Sequence, residues 1–447
     1  MNKFFILSFL GILLFSSCTK IEELQYGEKR PFVIYKSGMS TTSPGITRLR
    51  SGELLAVFRQ STSPRSYDGK ILLSCSKDEG KNWSQPDTIV TTPWDCRNPS
   101  IVQLKNGLIL VSFFQSRYDT KRKELNPIGC FTVRSFDNGK TFTAPRMVAN
   151  NGYDWLATSN RILELGDGTL ILPAYGKKAV ETTTALVVIS RDGGETWKEI
   201  HLIAKDSDNR IHYKKPSLVM FPNGKIFCMM ETEGGEGFLY RSISNDGAVT
   251  WSSPQSSGIF GQAPDVCLTY QGTFLCAYQD FWPMGVSFVK SYDWGRTWEK
   301  EISLFGTNDG MASPSLIEVK KGLLAVCYGC GSDIGGTFFT VKKPEVPKGV
   351  SISLSPKGQV NLRWNSVKGA DYYIVYRDTT PNFVPKSGYP FKGNGIASPI
   401  LPKYTDVDVD SGKTYYYCIS AVCGTGKLFP NTGSESDPTE VLKVEIK

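Results

Sequence analysis

The stretch Ser-Arg-Asp-Gly-Gly-Glu-Thr-Trp at positions 190–197 decides the fold, because its pattern Ser-x-Asp-x-Gly-x-x-aromatic occurs five times. An Asp side chain hydrogen-bonds the backbone amides of a tight turn, Gly supplies a positive φ, and the aromatic ring packs under the turn. We therefore interpret the repeated aspartates as turn residues, since five identical catalytic sites would make no sense. The copies occupy residues 76–83, 135–142, 190–197, 244–251 and 291–298, with Ala248 replacing Gly in the fourth.

A second unit recurs six times with a period of about 48 to 60 residues. Each copy is a short apolar strand, a Gly turn and a second apolar strand, and the Gly always lies eight positions after the Pro position. Two-residue turns such as Asn106-Gly107 are strong hairpin signals. With the turn motif added, each unit holds about four strands, which is typical of a propeller blade. The Pro positions are Pro44, Pro99, Asn160 (in place of Pro), Pro216, Pro264 and Pro314.

These repeats predict an all-β protein with a six-bladed β-propeller over residues 28–342. The sixth unit runs out near Val341 without its own turn motif, so the strand Pro31–Tyr35 is expected to supply the missing outer strand and close the ring. Residues 343–348 are rich in Lys and Pro and predict a linker. Residues 349–447 are similar to a fibronectin type III β-sandwich, with Trp364 as the buried strand Trp and Tyr415 at the tyrosine corner.

The N-terminus predicts a lipoprotein signal peptide over residues 1–18. Lys3 is followed by the apolar run Phe4–Phe15, which is too short to span a bilayer, and then by small residues before Cys18. This arrangement resembles a bacterial lipobox, which implies a lipid-modified Cys18 and anchoring to the outer membrane of the cell envelope. Residues 20–23 resemble the acidic export signal of some surface lipoproteins. The alternative is a plain signal peptide with an incidental Cys.

Composition narrows the classes of partner. The formal charge of +8 is spread over 447 residues without a dense basic run, and there are only two His. This excludes nucleic-acid binding, and the absence of zinc-ligand spacing predicts no metal; no cofactor is expected either. The expected partners are a glycan and, through Cys18, a membrane, and the protein is expected to be a monomer.

The turn motif is an Asp-box, and five Asp-boxes on six repeats resemble the sialidase (neuraminidase) superfamily over roughly residues 28–342. The resemblance implies an exo-acting glycoside hydrolase with an Asp acid/base in the first blade, a Tyr nucleophile paired with a Glu, and three Arg that bind the sugar carboxylate. Asp68 matches the position of the acid/base Asp. The triad Arg positions are unfilled, since Thr42-Ser43-Pro44 replaces Arg-Ile-Pro, and Ala312-Ser313-Pro314 stands where the Tyr is expected. The substrate therefore need not be sialic acid.

Propeller active sites normally lie where the inner strands begin and the second strands end. On this basis Asp68 and Glu231 are the candidate catalytic residues. Two alternatives stay open: a non-catalytic glycan-binding lipoprotein, and a polysaccharide lyase that uses His212 and Tyr213 as its base and acid. The candidate substrate-binding residues are Arg59, Arg97, Arg117, Arg161, Lys215, Asp265 and Tyr278.

Overall fold

The computed structural model describes residues 29–446 except 120, 122–123, 271–272, 283, 292–293, 300, 307–311, 321, 342–344, 368–369, 371, 386–393 and 424–433. The predicted signal peptide and Cys18 lie outside the described residues. Every regular element in the described part is a β-strand, which confirms the all-β class. Among the described residues no helix is long and apolar enough to cross a membrane.

The first three repeats form three consecutive antiparallel sheets. The first sheet contains β2 (Ser40–Arg48), β3 (Leu54–Ser61), β4 (Lys70–Ser76) and β5 (Asp87–Val90), and β1 (Lys29–Lys36) precedes it in the chain. The second contains β6 (Asp95–Gln103), β7 (Ile109–Asp119), β8 (Glu124–Ser135) and β9 (Arg146–Met147). The third contains β10 (Trp155–Ala157), β11 (Leu163–Glu164), β12 (Leu170–Lys177), β13 (Thr184–Ser190) and β14 (Glu199–Ala204).

The next three repeats continue the series. The fourth sheet contains β15 (His212–Met220), β16 (Ile226–Glu233), β17 (Phe238–Ser244) and β18 (Gln255–Phe260). The fifth contains β19 (Gln262–Leu268), β20 (Phe274–Phe281), β21 (Met284–Ser291) and β22 (Ile302–Gly306). The sixth contains β23 (Ser315–Lys320), β24 (Leu323–Cys330) and β25 (Asp333–Thr340). The six sheets of the described residues match the six repeats of the sequence.

The N-terminal strand completes the sixth sheet. Strand β1 pairs antiparallel with β25, from Lys29 opposite Phe339 to Lys36 opposite Asp333. The sheet order is β1-β25-β24-β23, so the first strand of the chain becomes the outermost strand of the last sheet, as the sequence predicts. The ring is thereby fastened by backbone hydrogen bonds instead of ending in an open edge.

The hydrophobic core lies between neighbouring sheets. Strand β3 is buried along its whole length, which suits a strand covered on both faces. One core cluster joins Leu55 and Val57 of the first sheet to Ile101 and Val111 of the second, and another joins the first sheet to the sixth. Each sheet is therefore held mainly by apolar packing against the next one.

The Asp-box turns are built as predicted. In the third sheet Asp192 Oδ1 accepts hydrogen bonds from Ser190 Oγ at 2.8 Å and from the Thr196 amide at 2.9 Å, and Gly194 has a φ of +83°. Burial alone would raise the pKa of Asp192, but these hydrogen bonds and one from the Thr196 hydroxyl lower the pKa to about 2. The turns of the first, second and fourth copies have the same contacts, while Asp293 of the fifth lies outside the described residues.

The described residues of the C-terminal region form two further antiparallel sheets, one of three strands and one of five. Trp364 is buried against Tyr373, and the Tyr415 hydroxyl accepts a hydrogen bond from the Asp410 amide at 3.1 Å. The fibronectin type III assignment and the domain boundaries stay predictions. The strands are β26 (Ser351–Leu354), β27 (Val360–Arg363), β28 (Tyr372–Asp378), β29 (Gly395–Ala397), β30 (Lys403–Asp406), β31 (Thr414–Cys423), β32 (Ser434–Glu435) and β33 (Leu442–Glu445).

Candidate functional site

The inner strands of the propeller begin at one end of the central channel, and the second strands end there too, because the pairs are antiparallel. We call this end the mouth. The Gly hairpins and the Asp-box turns lie at the opposite end. The candidate residues of the sequence come from strand ends at the mouth, so their side chains decide what it can bind.

A ring of residues that we call the collar surrounds the channel just inside the mouth. Five collar residues have φ between +35° and +52°, and each stands directly before a Pro. This left-handed conformation costs about 1–2 kcal/mol for each residue other than Gly. In four of the five repeats it coincides with a shift of strand register. The five residues are Ser43, Asn98, Lys215, Ala263 and Ser313.

The third repeat departs from the collar pattern and closes the channel. Asn160 stands in place of Pro, and its Nδ2 donates to the carbonyl oxygens of Lys215 at 3.2 Å and Pro216 at 2.9 Å. Beside it, Arg161 reaches across the axis to form an ion pair with Asp265 and a hydrogen bond with the Leu316 carbonyl. Asp265 is buried and also accepts the Leu316 amide at 2.7 Å. The structure therefore joins Arg161 and Asp265 in a contact that ties three sheets together.

The first and second sheets contribute a buried ion group made of Arg59, Asp95 and Arg97. Asp95 Oδ1 binds Arg59 Nε at 2.8 Å, and Asp95 Oδ2 binds Arg97 Nη1 at 2.7 Å. The side chains of Arg59 and Asp95 are 1% and 0% exposed. Burial, and then the charge of Arg97, lower the pKa of Arg59, although Asp95 partly offsets both. Arg59 Nη1 is buried and has no hydrogen-bond partner among the described residues.

Asp95 was missed by the sequence reasoning, although it binds both of the arginines that were identified. Gly69 leaves the space that the Asp95 carboxylate occupies, because a Cβ atom on Gly69 would overlap Asp95 Oδ1. The loop after β3 covers the group, since Arg59 Nη2 donates to Ser66 Oγ at 3.1 Å and Arg97 Nη1 to the Pro64 carbonyl at 3.2 Å. The paired arginines are thus fixed at the mouth.

Glu231 is the buried carboxylate of the opposite side, at the end of β16. It is 5% exposed, and its Oε2 accepts hydrogen bonds from Lys215 Nζ at 3.0 Å and from the Ala263 amide at 2.9 Å. Both donors belong to the collar, so the strained backbone positions this carboxylate. Burial raises the pKa of Tyr175, and the charge of Glu231 raises it further while Arg97 lowers it. Tyr175 belongs to β12 of the third sheet and is 8% exposed.

Asp68 lies half-buried in the loop that follows β3. Its carboxylate accepts the Thr62 amide at 3.2 Å and the Thr62 hydroxyl at 3.1 Å. Burial would raise the pKa of Asp68, but the hydrogen bonds from Ser66 and Thr62 outweigh it and hold the pKa below its ordinary value. In this conformation Asp68 stabilises the loop to which it belongs through its hydrogen bonds with Thr62.

Two of the predicted binding residues are not brought to this cluster. Arg117 is exposed on the outer part of the β7–β8 hairpin. Tyr278 is 1% exposed in the core between the fourth and fifth sheets, and its hydroxyl donates to Glu301 at 2.7 Å. Successive strand residues point to opposite sides, so a position near a strand end does not fix which side faces the channel.

The alternation of side chains along a strand also separates His212 and Tyr213, the base and acid of the lyase alternative. His212 Nδ1 accepts the Thr183 amide at 3.0 Å, and burial, then Lys214, lower the pKa of the imidazole. Tyr213 is 4% exposed and packs edge-on against Tyr240 with 5.7 Å between the ring centres. Burial raises the pKa of Tyr213 to about 12. The two side chains do not converge on one point of the mouth.

Comparison with known proteins supports the fold. Residues 52–326 match the BNR repeat-like domain family. A protein named Sialidase from Bacteroides fragilis (strain YCH46) is 28% identical over 130 residues, which cover 28% of this chain and 23% of that protein. The aligned part therefore spans less than a quarter of this relative.

Solved structures extend the likeness over most of the propeller. The Hadza microbial sialidase Hz136 superposes with a TM-score of 0.57 and 18% identity, covering 70% of this chain and 68% of the sialidase. The alpha-L-arabinanase of Penicillium chrysogenum, complexed with arabinobiose, has a TM-score of 0.54 and 19% identity, covering 69% of this chain and 97% of the arabinanase. At these identities the likeness shows the sialidase-like β-propeller fold.

Proposed function

The chain belongs to the BNR repeat-like domain family, and from this premise we propose that it is an exo-acting glycoside hydrolase of the sialidase-like superfamily. The observation that carries the proposal is Glu231, a carboxylate buried at the mouth and held by two donors on one oxygen. A buried, positioned carboxylate opposite a pair of fixed arginines is more typical of a sugar-cleaving site than of a purely structural ion pair.

Glycosidic cleavage needs one group that protonates the leaving oxygen and a second that acts as nucleophile or base from the other side. We assign the second role to Glu231, and the first to Asp68. The two residues belong to the fourth and the first of the six sheets. Arg97, whose side chain is 13% exposed, is assigned to binding sugar hydroxyl or carboxylate groups, and the buried Arg59 positions it through Asp95.

The test is sugar release from a panel of sialylated and arabinofuranosyl glycans by the wild type, Glu231→Gln and Glu233→Gln. Glu233 is the matched control, because it is two positions further along, exposed, and paired with Lys214. We expect Glu231→Gln to bind glycan but to release sugar at least about 10³-fold more slowly, and Glu233→Gln to cleave like the wild type. Equal rates for wild type and Glu231→Gln would overturn the assignment.

A second candidate function is glycan binding without cleavage. It is favoured by Asp68, whose carboxylate is engaged by Thr62 and whose pKa is lowered, because a general acid needs a proton to donate. This candidate predicts wild-type binding to a glycan of the panel without release of sugar from any member. Loss of binding in Arg97→Ala with no cleavage by the wild type would support it.

We also propose that the protein is a monomer anchored to the outer membrane through a lipidated Cys18, a residue outside the described part. The support is the sequence pattern of residues 3–18 alone. In a Gram-negative host, Cys18→Ala is expected to abolish labelling by radioactive palmitate and to remove the protein from the outer-membrane fraction. Unchanged labelling would contradict this anchor.

A further inference from the structure

The rim of the mouth between the fourth and fifth sheets carries a group of aromatic side chains that we call the aromatic platform: Phe238, Phe260, Phe281 and Trp282. Phe260 is 49% exposed and Trp282 is 88% exposed. The ring centres of Phe238 and Phe260 are 6.0 Å apart, and those of Phe260 and Phe281 are 5.8 Å apart. Trp282 directly follows Phe281 in the chain, and an exposed aromatic surface beside a channel mouth is typical of a ligand-binding surface.

Local structure holds the aromatic platform in place. Asp280 is 3% exposed; its Oδ1 accepts the Trp282 amide at 3.0 Å and its Oδ2 accepts Ser287 Oγ at 2.7 Å. A buried carboxylate thus fixes the backbone that presents Trp282. At the other side Gly237 has a φ of +80°, and a Cβ atom there would lie 2.6 Å from the Phe260 ring. The ring of Phe260 therefore occupies space that only Gly leaves free.

The aromatic platform begins one strand away from Glu231. Thr232, the next residue after Glu231, donates its hydroxyl to the Phe238 carbonyl at 2.7 Å across β16 and β17. Ala263, whose amide binds Glu231, follows Phe260 by three positions. Neighbouring strands are about 4.8 Å apart, so a molecule that contacts Glu231 and extends outward meets the platform after about one sugar ring.

We propose that the aromatic platform binds the apolar faces of neutral sugar rings in the part of a glycan that extends beyond Glu231. The proposal rests on the proposed function, because it places the glycan end at Glu231. None of the four platform side chains carries a charge, whereas the buried arginines lie on the first and second sheets across the mouth. The terminal residue is thereby placed between Glu231 and the arginine side of the mouth, and the rest of the glycan chain is placed on the aromatic platform. The substrate class that fits is an oligosaccharide of several residues.

The experiment measures dissociation constants by titration calorimetry in the non-cleaving Glu231→Gln background. The probes are arabino-, xylo-, manno- and cello-oligosaccharides of two and six residues. The variants are Trp282→Ala and Phe260→Ala. The matched control is Tyr270→Ala, since Tyr270 is an 84% exposed aromatic in the hairpin at the opposite end of the same sheet.

We expect at least one hexasaccharide to bind more tightly than its disaccharide. Each platform variant should weaken that hexasaccharide about fivefold or more and change the disaccharide less than about twofold, while Tyr270→Ala changes neither. The proposal is overturned if no hexasaccharide binds more tightly than its disaccharide, or if both platform variants bind like the control. It is also overturned if the wild type is a dimer that Trp282→Ala converts to a monomer, because a second copy would then be the occupant.

Failure of the platform and failure of the hydrolase are separate results. If Glu231→Gln loses cleavage but Trp282→Ala and Phe260→Ala both keep hexasaccharide affinity, the platform is wrong and the hydrolase stands. If the platform variants lose affinity but the wild type cleaves nothing, the platform stands and the protein is a glycan-binding protein.

Discussion

Replacing Asp95 by Asn tests whether the buried ion group of Arg59, Asp95 and Arg97 stabilises the fold through the shared carboxylate, as the contacts indicate. The change keeps the size of the side chain and leaves an acceptor for Arg59 Nε. It also turns an amide nitrogen toward Arg97 Nη1 and leaves two cations without their shared anion. The net charge of the group is expected to rise from one positive charge to two in a site from which water is almost excluded.

The magnitude follows from distance and burial. At 2.8 Å and an effective dielectric constant of about 20, each ion contact is worth about 6 kcal/mol of Coulomb attraction, much of which is offset by desolvation. Breaking a buried pair by removing one partner costs about 3–5 kcal/mol net. We expect Asp95→Asn to lower the free energy of unfolding by that amount, and to lower Tm by about 5–8 °C.

Glu195→Gln is the matched control. Glu195 also joins two arginines, Arg134 and Arg146, but its side chain is 41% exposed. Ion pairs of exposed carboxylates contribute little, so this variant should lose much less stability than Asp95→Asn. Urea unfolding followed by tryptophan fluorescence compares the two variants with the wild type. Equal losses for Asp95→Asn and Glu195→Gln would refute the reasoning from burial.

Three further predictions concern packing and protonation. Gly69→Ala should destabilise the fold by about 1–3 kcal/mol in urea unfolding, because its Cβ overlaps Asp95, whereas Gly166→Ala, with open space around its Cβ, should not. The pKa of Asp192 is about 2 in the folded protein and about 3.9 in the unfolded chain, so its contribution to stability is present above pH 4 and is lost as the pH falls toward 2. Asp192→Asn should therefore reduce the loss of unfolding free energy between about pH 4 and pH 2, and an unchanged loss would contradict this. If Asp68 is the acid, its lowered pKa makes kcat/KM rise as the pH falls from 7, and Asp68→Asn should remove that rise; a rate that peaks above pH 7 would exclude this role.

The parts of the fold that follow from local chemistry could be predicted from the sequence. The turn role of Asp192 depends on residues within four positions of it, so the motif alone was sufficient. The closing strand was predicted because the last repeat lacked a fourth strand, and β1 pairs with β25 accordingly.

The site was less accessible to sequence reasoning because its contacts are not local. Asp95 is 36 positions from Arg59, and nothing in its neighbourhood distinguishes it from an ordinary loop aspartate. The collar was not predicted either, since residues before Pro usually adopt extended backbone, whereas Lys215 and Ala263 have positive φ. Tyr278 was assigned to the correct strand end, but the alternation of side chains places it in the core.

We propose that Glu231 is the carboxylate that attacks the sugar or activates water at the mouth of the propeller. The most direct measurement is the rate of sugar release by Glu231→Ala with and without sodium azide, a small anion that can replace the missing carboxylate. Release should be lost in Glu231→Ala and partly restored by azide, with a glycosyl azide as product. A Glu231→Ala variant that releases sugar at the wild-type rate without azide would show that Glu231 does not have this role.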